Sequence, residues 1–203
     1  MTDRDALPTT ERTRLHRRPQ RGSHELALIR SILDEALVCH VGFSAPHGPV
    51  VLPTTFVRIG DALYLHGSPA NAMLGRLATG VDACVTVTLI DGLVLGRTAL
   101  HHSMNYRSVV MFGRATPVTD ADAKARALEA LVERAQPGRS RACRPPNARE
   151  LAGVSVLELP ILEASAKVRK GPPLQEEGED AALPYWSGVI PISLVRGEPI
   201  PCP

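Results

Sequence analysis

Apolar positions along this chain recur first at helical and then at strand spacing. In residues 24–37, HELALIRSILDEAL, Leu26, Ile29, Ile32, Leu33 and Leu37 fall on one face of a helix, and Ser23 is placed to cap it. The runs 38–43 (VCHVGF), 50–58 (VVLPTTFVR) and 62–67 (ALYLHG) then read as strands. Their separators, SAPHGP and IGD, have turn chemistry, so the three predict an antiparallel meander. Residues 68–80 change period again, with Ser68 as N-cap, Pro69 at the first helical position and Met73, Leu74 and Leu77 as the buried stripe.

The second half repeats the alternation. In 82–95, Val85, Val87 and Leu89 face one way and Thr86 and Thr88 the other, as in a half-buried strand. Residues 107–118 predict another strand. Residues 119–135 predict a helix capped by Thr119, with Ala127, Leu128, Leu131, Val132 and Ala135 turned inward. A further helical turn fits 148–153, and 154–170 reads as one long strand or two, bent at Pro160. Six or seven strands, antiparallel connections and few helices predict a mainly β (α+β) fold, a closed or nearly closed barrel with decorating helices. The expected organisation is a basic arm over 1–22, one domain over 23–195 and a tail over 196–203.

Composition narrows the function classes. The 203 residues are 44% hydrophobic, 22% charged and only 3% aromatic, so the core is aliphatic and each aromatic merits attention. A net charge of +2 gives no general case for nucleic acid, and the early basic run ERTRLHRRPQR reads as a solvated or subunit-packed segment. No apolar run is long enough to span a bilayer and no signal-type segment opens the chain, so a cytoplasmic protein is expected. The four cysteines form no C-x-x-C pair, and no Cys/His spacing predicts a metal site.

Three stretches carry candidate chemistry. His66 and Gly67 end a strand and Ser68 starts the next helix, with Arg76 two turns along; an anion site and a merely capped helix both fit. Thr54 and Thr55 are adjacent in a strand and so face opposite sides. In HHSMNYRSVVMFG (101–113), His101 and His102 cannot share one strand face and lack helical metal spacing. Asn105, Tyr106, Arg107 and Ser108 instead combine amide, phenol, guanidinium and hydroxyl, which suits a flat heterocycle with a phosphate but also an ordinary polar strand entry. Trp186, the single tryptophan, suits a core or the cover of a planar ligand.

Taken in order, LVCHVGF, VLPTTF, LYLHGSPANAML, CVTVTLIDGLVL, HHSMNYRSVVMFG, EASAKVRKGPP and LPYWSGVIPI resemble the flavin-nucleotide-binding proteins related to pyridoxamine 5'-phosphate oxidase, most of all the nitroimidazole-resistance subgroup. The resemblance implies an FMN-binding split β-barrel and a homodimer with FMN between subunits. It implies cofactor contacts from Thr54, Thr55, His66, Gly67, Ser68, Arg76, Asn105, Tyr106, Arg107, Ser108 and Trp186, with His66 as the catalytic candidate. The implied activity is an oxidoreductase acting on a small electrophile such as a nitroaromatic. The alternatives are a non-catalytic flavin-binding or storage protein and a haem- or deazaflavin-binding barrel with a histidine as axial ligand. One departure stands out: HGSPANAMLGR has a single arginine where pyridoxamine phosphate oxidases carry a basic cluster.

Overall fold

The computed structural model describes residues 5–174 and 177–202; the ends of the predicted arm and tail, and part of the acidic loop over 171–180, lie outside them. The Cα framework divides into two units, residues 1–88 with 108–167 and residues 89–107 with 168–203. Among the described residues the strands are β1 (Gly22–Ser23), β2 (Val38–Ala45), β3 (Gly48–Thr55), β4 (Val57–Ile59), β5 (Ala62–Gly67), β6 (Asp82–Leu95), β7 (Ser103–Arg114), β8 (Thr116–Pro117), β9 (Ser155–Pro160), β10 (Glu163–Arg169) and β11 (Gly188–Pro191). The helices are α1 (Leu26–Glu35), α2 (Ala72–Leu77), α3 (Ala121–Ala135) and α4 (Ala148–Ala152).

Two sheets result. One runs β1-β10-β7-β6-β2-β3, with β11 also on β6, and the other runs β4-β5-β9-β8. The expected meander is therefore broken. β2 and β3 form a hairpin, from Val38 opposite Thr55 to Ala45 opposite Gly48. After Phe56 the chain leaves that sheet, and β4 pairs with β5 in the other. The run 50–58 has no glycine or other turn signal at Phe56, so its pattern does not reveal the crossing there.

The helix caps are also corrected. Ser23 lies outside α1, accepting from the Glu25 N–H at 3.1 Å. α2 is shorter than 68–80, because Asn71, not Ser68, accepts from its free N–H at Leu74. Asp120 rather than Thr119 caps α3, accepting from Ala123 N–H at 2.8 Å. In α2 and α3 the capping oxygen lies on the residue that directly precedes the first helical one, whereas Glu25 before α1 makes no side-chain cap.

The first unit holds the apolar core. Ile29, Ile32, Leu33, Phe56, Leu63, Leu65, Leu74, Leu77, Met111, Leu157, Leu159 and Ile161 are essentially solvent-free. Each such side chain contributes about 1.5–3 kcal/mol. α1 ends without a glycine; instead Arg134 of α3 donates to the carbonyls of Leu33 (3.0 Å), Asp34 and Ala36 while its guanidinium lies 5.4 Å from the Phe56 ring. A cation on the last carbonyls of a helix satisfies acceptors that the helix cannot satisfy itself.

The early basic run packs on its own unit. Leu7 is buried, its N–H reaches His24 O at 2.9 Å, and Leu26 N–H reaches Asp5 O at 2.9 Å. Arg12 pairs with Glu163 and sits 4.7 Å over the Phe112 ring. Thr10 donates its hydroxyl to the same carboxylate at 2.5 Å. Arg12 and then Thr10 hold the Glu163 carboxyl below its ordinary range.

Replacing Arg134 with Met should lower unfolding free energy by about 1.5–3 kcal/mol, the range for hydrogen bonds to a charged group, read from urea denaturation. Because Glu163 titrates below its ordinary value of 4.5, its contribution is full above that value and is lost as pH falls through the folded titration. Amide exchange over residues 5–22, corrected for intrinsic pH dependence, should rise across that acid range, and Glu163→Gln should show the raised exchange already at neutral pH.

Candidate functional site

The residues singled out from the sequence divide between the units. Thr54, Thr55, His66, Gly67, Ser68, Arg76 and Ser108 belong to the first unit, and Asn105, Tyr106, Arg107 and Trp186 to the second.

In the first unit β5 presents Leu63 and Leu65 to the core, so His66 alternates to the other face and is only half-buried. Its Nδ1 is nevertheless shielded from solvent and has no hydrogen-bond partner. Burial alone pushes the imidazole below its ordinary value, so the ring is neutral at physiological pH. Gly67 follows, and a Cβ there would meet Leu74 Cδ1 at 3.0 Å, so the backbone runs tight against α2. Ser68 Oγ accepts from Ala70 N–H at 3.2 Å and Asn71 takes the Leu74 N–H. These donors are thus already used, and α2 has only six residues, which weakens the anion-site reading of this turn. Arg76 donates Nε to Ser44 O at 3.1 Å, in β2. Thr54 is half-buried and Thr55 exposed, on opposite faces at the end of β3, and the Thr54 hydroxyl turns back to Thr55 O at 3.4 Å. Ser108 Oγ donates to Lys167 O at 3.3 Å. A cleft of about 450 Å³ beside α2, lined by Pro69, Leu74, Gly75, Val118, Lys124 and Val156 among others, includes none of the candidate cofactor residues.

In the second unit HHSMNYR is mostly strand, since β7 begins at Ser103. Asn105 is buried. Its amide donates to Gly171 O at 3.1 Å and its carbonyl oxygen accepts from Arg169. Arg169 is buried too and donates to Gly171 O at 3.3 Å and Pro172 O at 3.2 Å. This clasp fixes the turn after β10. Arg107 lies in a fork on Asp91 of β6, at 3.0 Å from Nε to Oδ2 and 2.7 Å from Nη2 to Oδ1. A phosphate would have to compete with Asp91 for that guanidinium. Tyr106 is half-buried on the same strand. Trp186 is 62% exposed. Its ring covers Gly188, where a Cβ would fall 2.7 Å from Cζ2, so the indole is held flat by a glycine. The histidines both lean on Thr98: His101 Nδ1 lies 3.2 Å from its hydroxyl and His102 Nδ1 3.0 Å from its carbonyl. Arg169, Asp91 and Thr98 were not anticipated; a charged residue near a strand end is ordinarily exposed, and nothing in one sequence marks Arg169 as the exception.

The model of the family described as pyridoxamine 5'-phosphate oxidase matches residues 25–168. The chain belongs to that family. Its split-barrel fold recurs in the flavocytochrome Anf3 from Azotobacter vinelandii, which is 40% identical over 96% of this chain and 90% of that one, with a TM-score of 0.88. The FAD and haem binding protein from Mycobacterium smegmatis is 34% identical over 90% of this chain and 89% of that one, with a TM-score of 0.85. A candidate 5-nitroimidazole antibiotic resistance protein from Bacteroides thetaiotaomicron is 24% identical, covers 72% of this chain and 86% of that one at a TM-score of 0.60, and shares the fold. No curated protein matches. The mainly β class and the family expected from the sequence therefore stand. No described helix is long and apolar enough to cross a membrane.

Asn105→Ala should leave Arg169 short of an acceptor at a buried site and lower stability by about 1.5–3 kcal/mol, with the denaturant slope unchanged. Unaltered stability in urea would mean that the clasp contributes nothing.

Proposed function

We propose that this protein is a homodimeric redox protein that binds a flavin nucleotide and a haem. One structural observation carries the flavin part: the neutral His66 ring has a solvent-shielded Nδ1 without a partner, at the end of a strand whose other face is core. A buried polar atom of this kind is costly unless something bonds to it, and a flavin ring offers carbonyl and ring-nitrogen partners. The haem part rests on the two relatives above 30% identity, one named a flavocytochrome and one named for FAD and haem. FMN is the family expectation and FAD is what the Mycobacterium relative is named for.

A bound flavin supplies the electron chemistry, and the protein supplies binding, orientation and electrostatics. The proposed cradle in the first unit is Thr54, Thr55, His66, Gly67, Ser68 and Arg76, with Ser108; in the second it is Asn105, Tyr106, Arg107 and Trp186. His66 holds or releases a proton at Nδ1, a role its lowered basicity suits near neutral pH. Trp186 offers one exposed flat face, and Asn105 and Arg107 keep β7 in place through Arg169 and Asp91. The acceptor class is a small electrophile such as a nitroaromatic.

The dimer is supported by what the second unit leaves uncovered. Val94 is its single buried apolar side chain among the described residues, while Leu93, Leu100, Met104, Tyr185, Trp186, Ile190, Leu194 and Val195 are exposed. A contiguous share of such surface normally meets a partner.

The protein as purified, or after incubation with flavin and haemin, should show both flavin absorption and a Soret band. A spectrum with neither, after both additions, contradicts the proposal. His66→Gln should keep the fold but shift the pH dependence of flavin reduction, removing an acid limb that lies below pH 6.5, the ordinary histidine value. An unchanged profile removes His66 from proton handling.

A further inference from the structure

The turn before β7 holds a feature that the flavin reading leaves unused. Thr98 precedes a 3-10 turn over Ala99–His101, and His102 follows it. The His102 Nδ1 faces Thr98 O at 3.0 Å. A carbonyl only accepts, so Nδ1 carries a proton, and in the neutral ring the lone pair is then on Nε2. That is the arrangement of a histidine prepared for a metal: one ring nitrogen donates to a fixed acceptor, which sets the tautomer and ring orientation, and the other stays basic.

The contacts of His24, His101 and His66 differ from this one. His24 has its ring nitrogens at Thr9 Oγ1 (3.5 Å) and Thr13 Oγ1 (3.3 Å). His101 faces the Thr98 hydroxyl, which can donate or accept, so that contact does not fix its tautomer. His66 has its Nδ1 shielded in the first unit with no acceptor to orient the ring.

Two large apolar side chains near His102 in the chain are left uncovered. Leu100 is 93% exposed and Met104 43% exposed, on either side of it in the chain. Large uncovered apolar side chains beside a metal-ready imidazole match a ligand that is both apolar and metal-bearing. No cluster of three His, Cys, Asp or Glu side chains occurs among the described residues, so a metal held by the protein alone is not what the turn is built for. A haem brings four of its iron's ligands with it and needs from the protein only an axial one.

We infer that His102, oriented by the Thr98 carbonyl, is the axial ligand of the haem, with Leu100 and Met104 against the macrocycle. This rests on the haem part of the proposed function. Binding would form one bond from the lone pair on Nε2 to iron in place of the water or anion that haemin carries, with no change of oxidation state.

The test is a titration of full-length protein with haemin, followed at the Soret band, for wild type and for His102→Ala and His101→Ala. His102→Ala should weaken haem binding by at least the roughly 10–100-fold that loss of an outer-shell partner alone costs. Millimolar imidazole added to that variant should restore haem that co-elutes with the protein on gel filtration, which a misfolded protein would not allow. His101→Ala should keep the wild-type spectrum. If wild type binds haemin and His102→Ala binds it with the same affinity and spectrum, the assignment is overturned while the haem reading survives. If wild type binds no haemin, the haem reading itself fails and the assignment with it.

Discussion

The first unit depends on one buried ring. Phe56 is almost fully enclosed and marks the place where the chain leaves the sheet of β3 for that of β4. Its ring is capped by Arg134, whose guanidinium closes the carbonyl end of α1. One aromatic and one cation thus tie α1, α3 and the sheet crossing together. An interior packed this closely transmits any change of volume at Phe56. The two threonines before it and the β4–β5 hairpin after it, which ends at His66, are positioned by that same crossing. The candidate flavin residues of this unit are therefore placed by core packing rather than by loop chemistry.

The second unit is organised differently. Its buried residues are chiefly polar, Asn105 and Arg169, and the bonds they make run to backbone carbonyls at the turn after β10. Hydrogen bonds from a charged group in a shielded place are strong and directional, so a small clasp can order a region with little apolar core. The same region exposes its large apolar side chains and holds Trp186 flat on Gly188. A surface with this composition suits a second copy of the chain and a planar ligand, and the proposed dimer and cofactors draw on it.

Periodicity carried much of the fold. The strand over 62–67 and the strand over 82–95 were readable to the residue because they alternate and are bounded by glycine, aspartate or a change of period. The crossing at Phe56 was not, since a run without a turn signal looks alike whether it stays in one sheet or changes sheets. Capping oxygens were misplaced by three residues at α2 and one at α3, because several residues in each stretch have capping chemistry and only the backbone decides among them. For the site, His66 was legible as a polar residue closing an alternating strand. The partners that alter the reading of Asn105 and Arg107, namely Arg169 and Asp91, were not. They lie 64 and 16 residues away in sequence, and only strand pairing brings them together. The two histidines that first draw the eye turn out to share one threonine, a relation visible only in the folded turn.

The most direct measurement of the central claim is the identity of what the protein carries. Acid-denatured protein, expressed with ample riboflavin and haem precursor, should release a flavin nucleotide and a haem, each near one per chain, on chromatographic separation. Release of neither, from protein shown to be folded before denaturation, would contradict the account.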